Sequence, residues 1–186
     1  MLQPAITASI TQAVLDELAE LGYARLSMEA VAKRAGVGKS ALYRRWSSKQ
    51  QMALAVLAEF SVSQAPTPDT GTLRGDIRQS LDAVVGWLSH PRFSRILPDL
   101  IAEMARNPEL SDLVESMIGR PRRDHAMAFL RRAIERGELS SATDLDLAVD
   151  LLAAPVYWRL TVRDQAAEPG YLDKLTDVLI RALGAH

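Results

Sequence analysis

The chain has 186 residues, 48% of them apolar and 24% charged, which is typical of a globular protein with one or two domains. The absence of cysteine excludes disulfides, thiolate metal sites and cysteine nucleophiles, and fits a reducing compartment. The N-terminus lacks the basic region of a signal peptide, and no run of about 18 apolar residues predicts a membrane span. We therefore expect a cytoplasmic protein without membrane contact.

Charge is unevenly distributed along the chain. The net charge is −1, yet residues 1–50 carry +3 (seven basic, four acidic) and the remainder carries −4 (15 basic, 19 acidic). All seven of those basic residues fall within residues 24–50, where Glu29 is the single acidic residue. A compact basic segment on an otherwise acidic chain favours a phosphate-binding surface, although a solvated charged face gives the same pattern.

Helical spacing of apolar residues dominates the first 63 residues. Gly22 and Gly36 are placed to stop the first two helices, and Ser48 with Gln51 forms the capping-box pattern that begins the fourth. The predicted helices are a first of roughly four turns ending at Leu21, a short second after the N-cap Ser27, a third from Gly38 or Lys39 through Arg45, and a fourth through Phe60.

Residues 64–71, Gln-Ala-Pro-Thr-Pro-Asp-Thr-Gly, form the clearest break, because two prolines and a glycine forbid a continuous helix. We therefore predict one domain at 1–63 and a second at 72–186. The second domain is also helical, with Pro121 expected in the first turn of a long helix, an interruption at Pro155, and last helices at about 143–164 and 170–184. The predicted fold class is all-α, with about nine helices.

Residues 27–49 have the pattern of a helix-turn-helix, two short helices joined by a glycine-containing turn. Leu42 is the apolar anchor of the second helix, which leaves its neighbours facing outward. Serine and arginine can donate to base edges, and alanine can contact a thymine methyl. The outward side chains are those of Lys39, Ser40, Ala41, Tyr43, Arg44 and Arg45.

At these positions the chain resembles the TetR family of transcriptional regulators. The matching pieces occur in order over about 45 residues: Gly22-Tyr23, Ser27, the VAKRAGV turn (31–37), the LYRRW core (42–46) and Ser48-Lys49. The resemblance implies an N-terminal DNA-binding domain and a C-terminal ligand-binding and dimerisation domain. It also implies a repressor that binds a palindromic DNA operator as a homodimer and is released by a small-molecule effector, which the sequence does not identify.

The resemblance also assigns DNA contacts. It implies base-edge contacts for Lys39, Ser40, Ala41 and Arg44, and phosphate contacts for Ser27, Tyr43, Arg45 and Lys49. One departure is that no basic residue precedes Arg25, whereas many relatives begin with a basic arm. Unless the chain begins further upstream, we therefore expect no arm contact in the minor groove and a smaller number of phosphate contacts.

The resemblance implies that the last two helices pair with their copies in the dimer. The helix at about 143–164 is apolar nearly all round, which an exposed monomer surface would not tolerate. The alternative is that this helix is buried at the centre of its own domain.

Bulky or soft side chains of the middle helices are candidates for an effector pocket, although each of them also fits an ordinary core. They are Trp87, Phe93, Leu97, Ile101, Met104, Met117, Met127, Phe129, Tyr157 and Trp158. Polar anchors could come from Arg95, Glu103, His125 and Arg159, for each of which an exposed position is the alternative.

No catalytic or metal-binding pattern is found, so we expect neither an enzyme nor a cofactor. His125 and Asp124 are adjacent, but neighbours in a helix do not face each other. The histidines have no metal-ligand spacing, and no phosphate loop or nucleophile elbow occurs. The alternative function is a helical ligand-binding or scaffold protein with weakened DNA binding, which the missing basic arm favours.

Overall fold

The computed structural model describes residues 4–185, with side chains from residue 6, and every regular element in that range is helical. The π-turn Glu115–Gly119 joins α7 to α8, and a second, Trp158–Val162, extends α9, so residues 4–185 contain nine continuous helical runs. This confirms the all-α prediction. The helices are α1 (Pro4–Leu21), α2 (Met28–Ala35), α3 (Lys39–Tyr43), α4 (Lys49–Ser63), α5 (Leu73–Leu88), α6 (Phe93–Met104), α7 (Pro108–Val114), α8 (Arg120–Glu135), α9 (Leu145–Tyr157) and α10 (Pro169–Ala182).

The helices group into two compact units. The first comprises residues 4–60 and 91–119, and the second comprises residues 61–90 and 120–185. The predicted domains 1–63 and 72–186 follow the order of the chain rather than this packing, and they stay a prediction. None of the helices within residues 4–185 is both long and apolar enough to cross a bilayer.

The first unit is built on the apolar stripe of α1. Ile10, Val14 and Leu18 on that stripe are fully buried, as are Val31 of α2 and Leu57 of α4. Burying aliphatic side chains of this size contributes about 1.5–3 kcal/mol each. This core fixes the platform from which α3 projects.

In the second unit, α5 packs against α9 and α10. Hydrogen bonds and ion pairs hold the N-terminus of α5. The carboxylate of Asp76 is fully buried and accepts hydrogen bonds from the backbone N–H and hydroxyl of Thr70. Arg136 lies 3.3 Å from the same carboxylate, and Glu138 accepts from the N–H of Leu73. The start of α5 is thereby tied to the end of α8.

The interruption predicted at Pro155 is wrong. Pro155 lies inside α9, shortly before the π-turn that extends it, whereas Pro121 lies in the first turn of α8 as expected. A π-turn lengthens the hydrogen-bond spacing by one residue, which lets a helix continue past a residue that has no N–H. The local proline rule is therefore overridden at Pro155.

Candidate nucleic-acid interface

The helices α2 and α3 form the predicted helix-turn-helix. Ser27 caps α2 by accepting a hydrogen bond from the N–H of Ala30 at 3.1 Å. Gly36 ends α2 in the left-handed conformation (φ 68°), and the N–H of Val37 returns to the carbonyl of Ala32 at 3.0 Å. This turn sets the direction in which α3 begins at Lys39.

Leu42 anchors α3 to the core of the first unit. It is fully buried, which a helix of five residues needs because so short a segment is not stable alone. The helix ends at Tyr43, two residues before the predicted end at Arg45. The N–H of Arg45 bonds to the carbonyl of Leu42, a spacing that tightens the last turn out of α-helical geometry.

The outward face of α3 carries most of the predicted base contacts. Ser40 and Arg44 are exposed, and the side chain of Tyr43 keeps 56% of its surface in solvent. Ala41 is half-buried. Lys39 is exposed and pairs with Glu29 at 2.9 Å, which lowers the pKa of that carboxyl. The structure therefore brings these side chains together on one accessible surface.

Two of the predicted phosphate-contacting cations already have partners within the protein. Arg45 donates from Nη1 to the hydroxyl of Thr7 at 3.2 Å, and its guanidinium lies 4.6 Å from the ring centroid of Trp46. Lys49 donates from Nζ to the carbonyl of Ala24 at 2.9 Å and to that of Tyr23 at 3.3 Å. Both side chains are held in place before DNA arrives, and their phosphate contacts stay predictions.

A hydrogen bond joins α6 to the turn after α1, and no pattern in the sequence predicts it. The N–H of Tyr23 donates to Oδ2 of Asp99 at 2.7 Å, across 76 positions of the chain. Gly22 makes this approach possible, because it has φ +79° and a Cβ there would lie 2.7 Å from Oδ1 of Asp99. The motif contains Gly22-Tyr23, but nothing local to Asp99 indicates this contact.

Ser27 offers a test that separates helix capping from DNA contact. We expect Ser27→Ala to lower the free energy of unfolding by about 0.5–2 kcal/mol, whereas Ser27→Gly costs only a few tenths, because glycine is a fair N-cap. If the hydroxyl also contacts phosphate, both variants lose DNA affinity although only one is destabilised. Chemical denaturation and a mobility-shift titration measure the two quantities. Affinity that falls only in the alanine variant would assign Ser27 a capping role alone.

The ten predicted pocket residues are divided between the two units, and their role stays a prediction. Trp87, Met127, Phe129, Tyr157 and Trp158 belong to the second unit, and the other five to the first. Phe93 and Phe129 are fully buried, whereas Ile101 and Trp158 are exposed at 39% and 58%. The remaining six are half-buried. Of the four candidate polar anchors, Arg95 is exposed and Glu103, His125 and Arg159 are half-buried.

Known protein families account for most of the chain. The family model described as "Bacterial regulatory proteins, tetR family" matches residues 10–56, and that described as "Tetracyclin repressor-like, C-terminal domain" matches residues 67–179. The chain is 34% identical over 182 residues to the DNA-binding transcriptional repressor TetR of Mycobacteroides abscessus, with 94% of each chain covered. It is 31% identical over 163 residues to the uncharacterized HTH-type transcriptional regulator Rv1556 of Mycobacterium tuberculosis, covering 88% of this chain and 80% of that one.

Solved structures show the same architecture. The TetR family transcription regulator SCO0332 superimposes with a TM-score of 0.75 at 30% identity, covering 95% of this chain and 97% of that one. GusR of Salmonella enterica superimposes with a TM-score of 0.79 at 20% identity, covering 99% and 98%, which is a likeness of fold alone.

Proposed function

Because the chain belongs to the TetR family of DNA-binding transcriptional regulators, we propose that it represses its target genes from a palindromic operator as a homodimer. A small molecule bound in the helical C-terminal region releases it from DNA. The protein acts in the cytoplasm as a regulator and not as an enzyme. A ligand has this effect only through different affinities for the DNA-binding and released conformations.

The exposed face of α3 is the observation that carries the DNA-binding proposal. Ser40, Tyr43 and Arg44 project from a helix whose inward side is anchored by Leu42. Arginine forms bidentate hydrogen bonds with guanine, serine can donate to base edges, and tyrosine can donate to phosphate oxygens. We propose that Lys39, Ser40, Ala41 and Arg44 contact bases, and that Ser27, Tyr43, Arg45 and Lys49 contact phosphates.

The exposed apolar residues of the last helices support a homodimer. Leu147 and Trp158 are 56% and 58% exposed, and Val162 and Val178 are each 50% exposed. Leu147, Leu151, Ala154 and Trp158 follow one another at helical spacing, so they line one face of α9 and the turn after it. Apolar residues exposed in such a row indicate a protein interface. We propose that α9, its π-turn and α10 form it.

A mobility-shift titration on the DNA flanking the protein's own gene tests the proposal. The dimer should shift a specific fragment in the presence of excess random DNA. If no fragment is shifted specifically at low salt, the proposal of a DNA-binding repressor is wrong. The alternative of a scaffold protein is favoured by the internal partners of Arg45 and Lys49, and it predicts a shallow dependence of random-DNA affinity on salt.

Arg44 and Tyr43 are expected to play different parts in DNA binding. We expect Arg44→Ala to cost about 1–3 kcal/mol on the cognate operator and to relax sequence preference at one position. Tyr43→Ala should weaken binding to all sequences alike, because a phosphate carries no sequence information. Binding to a library of operator variants measures both effects, with the exposed Arg131→Ala on α8 as control. A uniform loss in Arg44→Ala would contradict its base-reading role.

A further inference from the structure

Trp87 of α5 and Arg122 of α8 form a stacked pair inside the second unit. Cζ of Arg122 lies 3.7 Å from the ring centroid of Trp87. Nη1 of the same guanidinium donates a hydrogen bond to the carbonyl of Ser61, a buried residue in the last turn of α4. The indole and the carbonyl together fix the orientation of the guanidinium. The side chain of Arg122 is half-buried, so solvent still reaches part of it.

The positive charge of Arg122 has no counter-ion among the residues that the structure describes. Burial alone lowers the pKa of Arg122 to about 10, and no carboxylate opposes that effect. A desolvated charge without an ionic partner is costly, so proteins seldom retain one without a use. Two other arginines of α8, and Arg136 just after it, are paired with carboxylates: Arg123 with Asp146 and Asp150, Arg132 with Asp69, and Arg136 with Asp76 and Glu138.

One edge of the Arg122 guanidinium is therefore available to a ligand. Within residues 4–185, Nη1 is its only nitrogen with a hydrogen-bond partner, which leaves Nε and Nη2 unpaired. These two nitrogens point in parallel and match the two oxygens of a carboxylate. His125 lies one turn further along α8, where its Nδ1 is 2.5 Å from the carbonyl of Ala65. A second polar group therefore stands close by.

We propose that Arg122 and Trp87 form the recognition site for an organic acid, which binds its carboxylate to Nε and Nη2 and packs its apolar body beside the indole. This inference rests on the proposed function, because it names the chemical class of the effector. An aromatic or aliphatic carboxylate supplies the missing negative charge in a partly desolvated place, where a charge-assisted pair is stronger than in water.

The bond from Arg122 to Ser61 indicates how such an acid would be sensed. An anion bound at Nε and Nη2 would compete for the position of the guanidinium, whose Nη1 donates to the carbonyl of Ser61. Ser61 belongs to α4, which begins at Lys49. Nζ of Lys49 donates a hydrogen bond to the carbonyl of Ala24, just before the helix-turn-helix. Binding of the acid should therefore disturb the end of a helix whose other end supports the helix-turn-helix.

Calorimetric titration of the full chain with matched probes tests the proposal. The probes are benzoate, hexanoate and indole-3-acetate, each paired with its neutral primary amide. We expect at least one acid to bind saturably and more than about tenfold more tightly than its amide, since a charged bidentate pair is lost in the amide. No acid binding, or equal binding of acids and amides, would overturn the proposal.

Variants of α8 locate the site. Arg122→Gln should lose the preference for the acid, while Arg120→Gln, an exposed position on the same helix, should keep it. Arg122→Lys retains the charge without the two-nitrogen edge and should lose about tenfold in affinity even if the glutamine variant fails to fold. An unchanged preference for the acid in Arg122→Gln, with unchanged affinity in Arg122→Lys, would place the acid elsewhere.

The titration needs no DNA, so its outcome is separate from that of the operator assay. Acid binding that leaves operator affinity unchanged would overturn the assignment of this site to the effector. Loss of operator affinity on addition of the acid, in the wild type but not in Arg122→Gln, would support it.

Discussion

Replacing Gly22 with alanine is expected to lower the free energy of unfolding by about 2–4 kcal/mol, because two effects combine at this residue. Its φ of +79° is unfavourable for any residue with a Cβ, and the added carbon would lie 2.7 Å from Oδ1 of Asp99. Asp99 must move, and the hydrogen bond that it accepts from the N–H of Tyr23 is then lost or lengthened. Chemical denaturation at a fixed protein concentration measures the loss.

Gly36→Ala is the matched control for this prediction. Gly36 has φ +68°, but no atom lies within 4 Å of the point that a Cβ would occupy, so alanine there costs only the backbone strain, about 1–2 kcal/mol. The difference between the two variants isolates the contact with Asp99. In an Asp99→Ala background, Gly22→Ala should cost no more than Gly36→Ala. Equal losses in the wild-type background would mean that the Asp99 contact contributes nothing.

The double variant Leu147→Glu/Trp158→Glu is expected to convert the proposed dimer into a folded monomer. Both side chains are more than half exposed, so glutamate is tolerated in the monomer. In the dimer the two carboxylates would be buried without partners, which costs several kcal/mol and raises the dissociation constant by about 100-fold or more. Light scattering across a dilution series measures the dimer. Operator affinity should fall with it, because a palindrome needs two linked recognition helices.

Ile101→Glu provides the control for the dimer. Ile101 is also an exposed apolar residue, at 39%, but it lies on α6, outside the proposed interface. It should leave the oligomeric state unchanged. A double variant that remains dimeric at micromolar concentration would move the interface away from Leu147 and Trp158.

Local signals explain why much of the helical layout is predictable. Ser27 is recognisable as an N-cap from its position before an apolar repeat, and it accepts the expected backbone hydrogen bond. Gly22 and Gly36 stop their helices in the left-handed conformation. These features depend on neighbours within a few positions, which the sequence displays directly. The error at Pro155 arises where a π-turn accommodates a residue that local rules treat as a break.

The candidate sites are less predictable, because they depend on residues far apart in the chain. The pattern around Leu42 places the outward face of α3, but it does not reveal that Thr7 holds Arg45. Tyr23 contacts Asp99 across 76 positions of the chain, and Trp87 contacts Arg122. No periodic pattern in the sequence predicts either contact. Contacts of this kind are decided by tertiary packing and not by local propensity.

The placement of the three tryptophans has a practical consequence for spectroscopy. Trp46 is buried beside Arg45 in the helix-turn-helix, Trp87 lies under Arg122, and Trp158 is exposed on the proposed dimer face. Each indole therefore sits in a different part of the molecule, where operator binding, acid binding or dimerisation would change its surroundings. A chain labelled with 5-fluorotryptophan should give three fluorine resonances, one native reporter for each equilibrium, observable together in a single sample.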